Sequence, residues 1–250
     1  MTDRRNPSLI SSTASSEVRC CVIIPSYNSG GALEKTLLSL LDLKVPIWVV
    51  IDGSNDGSDL FLQSTQSPFL TTIHRPQNGG KGAAVLEGLQ SALQSGFTHA
   101  LIMDADGQHP TDAVQEFFNL SSLHPTSLIL GKPIFGKEAP WVRRMGHSIA
   151  NFWVHLETGG KKIDDSLFGF RIYPIQDSCL VLKSIAHGKG YDFETQLAVR
   201  LIWRGYGSLN VPVPVRYFKS EEGGISHFRY FKDNLLLIGC HISLLWEKYF

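Results

Sequence analysis

The stretch "LIMDADGQHP", residues 101–110, runs an apolar segment straight into Asp104 and Asp106. Side chains alternate along an extended chain, so a strand that ends here sets both carboxylates on one side. Two like charges that close are unfavourable unless a cation or proton lies between them. Gln108 continues the alternation and adds a third oxygen donor. Oxygen ligands of this kind suit Mg²⁺ or Mn²⁺, and an ion held by one or two carboxylates keeps positions open for phosphates. A phosphatase-type DxDG nucleophile loop fits less well, because Gln108 follows Gly107 and the strand is the fourth in the chain.

Around that stretch the first half of the chain repeats one pattern: apolar run, polar turn, helical stretch. "CVIIP" (21–25) precedes the helical spacing of "GALEKTLLSLLDL" (31–43). "IWVVID" (47–52) precedes the turn "GSNDGS", and "LTTIHRP" (70–76) precedes "QNGGKGAAVLEGLQSALQSG". "HALIMDAD" (99–106) precedes "TDAVQEFFNL". Such alternation predicts a parallel sheet with helices on both faces, and ligands bound beyond the carboxyl ends of the strands. The second half is less regular. It reads as a strand at 128–134, a helix over "WVRRMGHSIANFWVHLETG", a strand over "FGFRIYP", a helix over "FETQLAVRLIWRG", and an edge strand interrupted by proline over "GSLNVPVPVRYF". No linker or repeat divides it, and a single domain is expected.

Each polar turn has a bland reading beside its chemical one. In "VVIDGSNDGS", Asp52, Ser54, Asp56 and Gly57 match the start of a calcium loop, but Gln63 stands at the twelfth position and a strand leads in. Presentation of Asp52 to a nucleotide base or ribose is the stronger expectation, against a plain turn. In "NGGKGAAV", glycines open a helix whose free N–H groups and Lys81 suit a diphosphate, although the Walker spacing is missing.

Bulk numbers narrow the field. The 250 residues carry 23 Lys+Arg and 23 Asp+Glu, so net charge gives no steer toward nucleic acid. Cys20, Cys21, Cys179 and Cys240 have no paired spacing and read as free thiols of a reducing, cytoplasmic setting. The polar start, 1–18, reads as a flexible tail without the apolar centre of a signal peptide. No run reaches the ~20 apolar residues of a membrane helix. The ending 233–250 reads as a helix. It either lies on a bilayer surface or packs on the sheet, and its few basic residues favour packing.

Taken in order, "VIIPSYN", "VVIDGSNDGS", "NGGKGAA", "MDADGQHP", "DDSLFGFRIYP" and "GYDFETQLAVRLIWRGYG" resemble the family 2 glycosyltransferases of GT-A fold. The resemblance is greatest to the dolichol-phosphate and polyprenyl-phosphate mannosyl- and glucosyltransferases, and it spans roughly residues 19–232. It implies an α/β domain with a Rossmann-like, mostly parallel sheet flanked by helices. Pro25, Tyr27 and Asp52 would then line the base and ribose pocket of a nucleotide sugar carrying GDP or UDP. Asp104, Ala105, Asp106 and Gln108 would hold Mg²⁺ or Mn²⁺ and, through it, the diphosphate. Lys81 and Lys132 would face phosphates. Arg143, Arg144 and Arg171 would grip an anionic acceptor, with ordinary salt bridges as the alternative.

Two departures stand out: Ser29 occupies a position where many relatives have Glu, and His227 replaces a Lys in the closing segment. A lipid-phosphate acceptor arrives ionised and needs no base. A hydroxyl acceptor on a glycan, small lipid or pigment needs a carboxylate, with Asp164, Asp165 and Glu194 as candidates. A non-catalytic sugar-nucleotide-binding protein is the remaining alternative. A lipid acceptor implies peripheral attachment at the inner face of the membrane.

Overall fold

The computed structural model describes residues 17–134, 141–160, 163–185, 190, 192–215 and 230–250, with the side chains of 141–147 and 230–235 outside that description. Almost all of the expected tail, and His227 with most of its segment, fall outside the described residues.

The elements follow in the order β1 (Cys20–Ser26), α1 (Gly31–Leu41), β2 (Ile47–Asp52), β3 (Leu70–Arg75), α2 (Lys81–Gln94), β4 (His99–Ile102), α3 (Val114–Leu123) and β5 (Ser127–Ile134). Then come α4 (Trp141–Thr158), β6 (Arg171–Pro174), α5 (Ile175–Ser184), α6 (Phe193–Trp203), β7 (Gly207–Pro214) and α7 (Tyr230–Tyr249). The seven strands form one sheet in the order β3-β2-β1-β4-β6-β5-β7. β1 runs parallel to β2 and β4, β2 to β3, and β5 to β7, while β6 is antiparallel to both neighbours.

Both faces are covered because the strand residues alternate between two apolar layers. Cys21, Ile23, Trp48, Val50, Ala100 and Ile102 meet α2, α5 and α6. Val22, Ile24, Val49, Ile51 and Leu101 meet Leu33, Leu37 and Leu40 of α1 and Val114 and Phe117 of α3. Leu33, Leu37 and Leu40 of α1 are fully buried, which stabilises the helix against the sheet by about 1.5–3 kcal/mol per side chain. At Gly88 of α2 an added Cβ would stand 2.8 Å from Ile23 Cγ2, so the helix backbone lies directly on β1.

The strands of the first half form in the order read, but β4 ends at Ile102, so Asp104 and Asp106 lie in the turn that follows it rather than alternating along an extended strand. The second half departs from its reading in two places. "FGFRIYP" is extended only from Arg171, because the amides of Leu167 and Phe168 are turned onto Asp165 Oδ1 (3.0 and 2.8 Å) instead of into the ladder. α5 went unread: its buried Ile175, Cys179 and Leu182 recur at helical spacing, but the run follows Pro174 without a polar turn to announce it. β7 is an edge strand, as its prolines require. α7 packs on α4, chiefly through Leu237, Cys240, His241 and Leu244, and begins at Tyr230 rather than at 233.

The topology gathers the polar turns at one rim. The carboxyl ends of β1, β2, β3 and β4 point the same way. The reversed β6 brings its leading segment, 163–170, to that rim as well.

Candidate functional site

Three turns meet where β1, β2 and β3 end. Asn28 and Asn55 exchange two hydrogen bonds: Asn28 Nδ2 donates to Asn55 Oδ1 (3.1 Å) and the Asn55 amide donates to Asn28 Oδ1 (2.9 Å). The Gly30 amide donates to Asp56 Oδ2, and the Asn28 amide to Ser54 Oγ. Burial raises the Asp56 pKa, but hydrogen bonds from Ser58 and Gly30 outweigh it and hold the carboxyl below its usual range. Gly53 has φ +68°, and a Cβ there would stand 2.5 Å from the Asn78 nitrogen. The β2 turn is therefore seated on the glycine-rich turn before α2.

Asp52 is placed differently from the expected pocket role. It is 2% exposed and accepts the amides of Gly79 (2.9 Å, Oδ1) and Gly80 (2.9 Å, Oδ2), with Arg75 paired to Oδ1. Arg75 also pairs with Glu87 at 2.8 Å. Asp52 thus anchors the turn that starts α2, and its oxygens are turned away from any calcium loop with Asp56. Tyr27 stands exposed at the same rim and Pro25 is buried in β1.

At the end of β4, Asp104 forms an ion pair with Lys81, whose ammonium also contacts Glu194 Oε1 at 2.6 Å. β4, the first turn of α2 and the first turn of α6 thus converge on one point. Gly169 lies against all three groups: its Cβ would be 2.9 Å from Glu194 Oε1, 3.0 Å from Asp104 Oδ2 and 3.1 Å from Lys81 Nζ. Burial alone would lower the Lys81 pKa, but Asp104 and Glu194 reverse that and hold it well above the ordinary lysine value. Burial opposes ionisation of Asp104, and Lys81 overcomes it, so its pKa lies below the usual range.

His109 is a site neighbour that the sequence reading missed. Its Nδ1 accepts the Asp104 amide at 3.1 Å, and its ring packs edge-on against Phe168 and Phe170. Burial pushes its pKa from 6.5 to about 4, against the pull of Asp104. The ring is therefore neutral, with its proton on Nε2, 3.9 Å from Asp104 Oδ2. Only its place five residues after Asp104 hinted at this.

The residues of the second half sort into three groups. Asp165 is buried and organises its own loop through Leu167 and Phe168. Asp164 pairs with Lys132 at 2.9 Å, and Asn151 of α4 ties the loop down through the Asp164 carbonyl and the Ser166 amide. Arg171, expected at the acceptor, is corrected by its burial: it is wholly enclosed and donates to the Asp165 carbonyl (2.8 Å) and Tyr173 Oη (3.2 Å). Its charge acts on Asp165 and Glu194 from beneath. Arg143 and Arg144 lie in the first turn of α4, and their side chains are outside the described residues.

Asp104, Asp106 and the Gln108 side-chain amide carry hard oxygen donors of the kind Mg²⁺ or Mn²⁺ takes. Asp106 Oδ1 accepts the Gln108 amide at 2.9 Å, which closes the turn and keeps both acids at the rim, beside the buried Ala105. Among the described residues no group of three or more His, Cys, Asp or Glu gathers around one point.

Known proteins resemble this chain in sequence and fold. The model of "Glycosyl transferase family 2" matches residues 21–187. The chain is 29% identical over 216 residues to the polyprenol monophosphomannose synthase of Mycolicibacterium smegmatis, covering 83% of this chain and 80% of that protein. It is 27% identical over 215 residues to the undecaprenyl-phosphate mannosyltransferase of Micrococcus luteus, covering 82% and 86%. The glucosyl-3-phosphoglycerate synthase of M. tuberculosis has the same fold, with a TM-score of 0.66 at 17% identity over 92% of this chain and 80% of that one. With a seven-stranded GT-A sheet, an acid pair at its rim and relatives among the polyprenyl-phosphate sugar transferases, the chain belongs to glycosyl transferase family 2 and is a glycosyltransferase.

Proposed function

We propose that the chain moves a hexose, with inversion, from a nucleoside-diphosphate donor to a polyprenyl phosphate. The observation that carries this is the meeting of Asp104 and Lys81 where β4 and α2 face each other beneath Gly169. In the proposed reaction an acceptor phosphate oxygen attacks the anomeric carbon. The bond from that carbon to the donor's terminal phosphate breaks, and the nucleoside diphosphate leaves with the electron pair. A divalent ion held by Asp104, Asp106 and Gln108 would supply Lewis-acid neutralisation of that leaving group. Lys81 adds positive charge at the same place and Lys132 a further charge at the rim, whereas the Gly79 and Gly80 amides that open α2 are taken by Asp52.

Two features favour a phosphate acceptor over a hydroxyl. Asp165 is buried and bound to two amides of its own loop, and Glu194 is held by Lys81. Neither is poised to take a proton, and a phosphate acceptor brings none that must be removed. The two relatives described above are named for polyprenol and undecaprenyl-phosphate chemistry, which supports the same substrate class. Thermal-shift measurements with UDP-, GDP- and dTDP-sugars, with and without Mn²⁺, test the donor half. One nucleotide class should raise Tm, and Asp104→Asn should abolish the Mn²⁺-dependent part. Silence with every nucleotide would leave a protein that does not use these donors.

A lipid acceptor calls for contact with a bilayer. No helix among the described residues is long and apolar enough to cross one. The outer faces of α4 and α7 nonetheless expose Phe152, Trp153, Leu156, Ile242, Trp246 and Phe250. Apolar and aromatic side chains arrayed on two packed helices suit the headgroup region of a monolayer. Asn151 of α4 is hydrogen-bonded to the 163–170 loop, so this face adjoins the site. The protein should float with phosphatidylglycerol-containing liposomes, and Ile242→Glu with Trp246→Glu should return it to the bottom fraction. Full recovery of the unaltered protein at the bottom removes the membrane component.

A further inference from the structure

Lys81 occupies a position with two competing demands. Its ammonium is ion-paired with Asp104 Oδ1 and lies 2.6 Å from Glu194 Oε1, its side chain is 17% exposed, and the Phe193 ring lies 5.8 Å away. The carboxylates come from the turn after β4 and from α6, far apart in sequence; this ammonium contacts both, with the charge of the buried Arg171 behind them. Gly169 lies against the same three groups, and a Cβ there would stand 2.9–3.1 Å from their side-chain ends. Yet Asp104 Oδ1, the oxygen that Lys81 holds, belongs to the carboxylate assigned to the divalent ion above. A divalent cation and an ammonium at one partly buried oxygen repel each other strongly.

We propose that Lys81 is a resident counter-cation: it holds Asp104 and Glu194 together in the free enzyme and cedes Asp104 only when a diphosphate arrives. The proposal rests on the donor reading given above. Leaving Asp104 for water would set two partly buried carboxylates side by side without the ammonium that contacts both. Leaving it for a diphosphate exchanges one anionic partner for another. Nucleotide binding therefore frees Asp104, and metal and nucleotide each strengthen the other's binding by the same factor, as linkage requires. Lys81 is in this account a positioning residue whose motion couples the two ligands.

Mn²⁺ affinity of the nucleotide-free protein is the direct readout, and it needs no turnover. The unaltered protein should bind Mn²⁺ weakly alone and about tenfold or more tightly once GDP or UDP is present beyond its own Mn²⁺ complex. Lys81→Met removes the competing charge and keeps the apolar stem. It should raise Mn²⁺ affinity without nucleotide by about tenfold and abolish most of the coupling. Because Lys81→Met alone leaves two carboxylates uncompensated, Lys81→Met with Glu194→Gln restores the local charge and secures a folded variant, checked by circular dichroism. Adding Asp104→Asn to that pair should erase the gain, which places the ion at this site. Equal Mn²⁺ affinity in the unaltered protein and the folded double variant overturns the proposal, even if donor binding is intact. Conversely, tighter Mn²⁺ binding by the double variant without response to any nucleotide would keep the counter-cation and retire the donor reading.

Discussion

His109 shows how one buried ring constrains the acid pair. Its Nδ1 is committed to the Asp104 amide, and burial holds its pKa at about 4 against 6.5 for a free histidine. The unfolded chain therefore takes up a proton on this residue as pH falls through 6.5, while the folded chain resists until about 4. Stability from this group is fully present above the unfolded value and drains away on acidification. The whole span corresponds to about 3 kcal/mol. Urea unfolding at intervals from pH 7.5 to 4.5 should show the unaltered protein losing stability faster than His109→Gln across that window. Parallel curves would mean that the ring is not held neutral. Tightly packed Phe168 and Phe170 around the ring, together with Gly169 against the charges, explain why "FGF" belongs to the site although none of its side chains is polar.

Among elements, the turns after β2 and β3 behave as one unit. Gly53 is the contact point: a side chain there would need a left-handed backbone and would collide with the Gln77–Asn78 backbone at 2.5–2.7 Å. Gly53→Ala should cost about 2 kcal/mol or more, because neither neighbour is a flexible side chain that can give way. Gly31→Ala is the control. Its Cβ meets nothing within 4 Å, and alanine favours the first turn of α1, so Tm should hold or rise. Differential scanning calorimetry of the two variants separates a local collision from a general intolerance of glycine replacement. These turns were legible in the sequence as ligand-facing loops, since each follows a β-branched run and is rich in glycine and asparagine. Their mutual bracing was not legible. Asp52 read as an exposed ribose ligand because an acid at a strand end has no visible partner, and its partners, the Gly79 and Gly80 amides, lie 27 and 28 residues onward.

At the scale of the molecule, alternation of strand and helix made the sheet and the rim readable, while reversed β6, α5 and the buried Arg171 escaped. Those depend on pairings between distant segments, which local periodicity does not encode. The same holds for the joint between α4 and α7. Glu157 is fully buried, His241 is 5% exposed, and Oε1 and Nδ1 meet at 2.7 Å, while Glu157 Oε2 and His241 Nε2 have no hydrogen-bond partner among the described residues. An isolated polar group in such surroundings is costly, whereas a pair replaced by apolar groups of similar volume is often neutral. Glu157→Leu and His241→Leu should each lower unfolding free energy by about 3 kcal/mol, because each strands the other. Joined, they should cost far less than their sum and leave α7 docked through Leu237, Cys240 and Leu244. Lys248 to the Leu156 carbonyl (2.6 Å) and Arg200 to Glu247 (2.6 Å) would still tie the outer turn. Urea titrations of the three variants complete a double-mutant cycle. Strict additivity would mean that the two side chains do not share their cost, and that α7 is held by its apolar row alone.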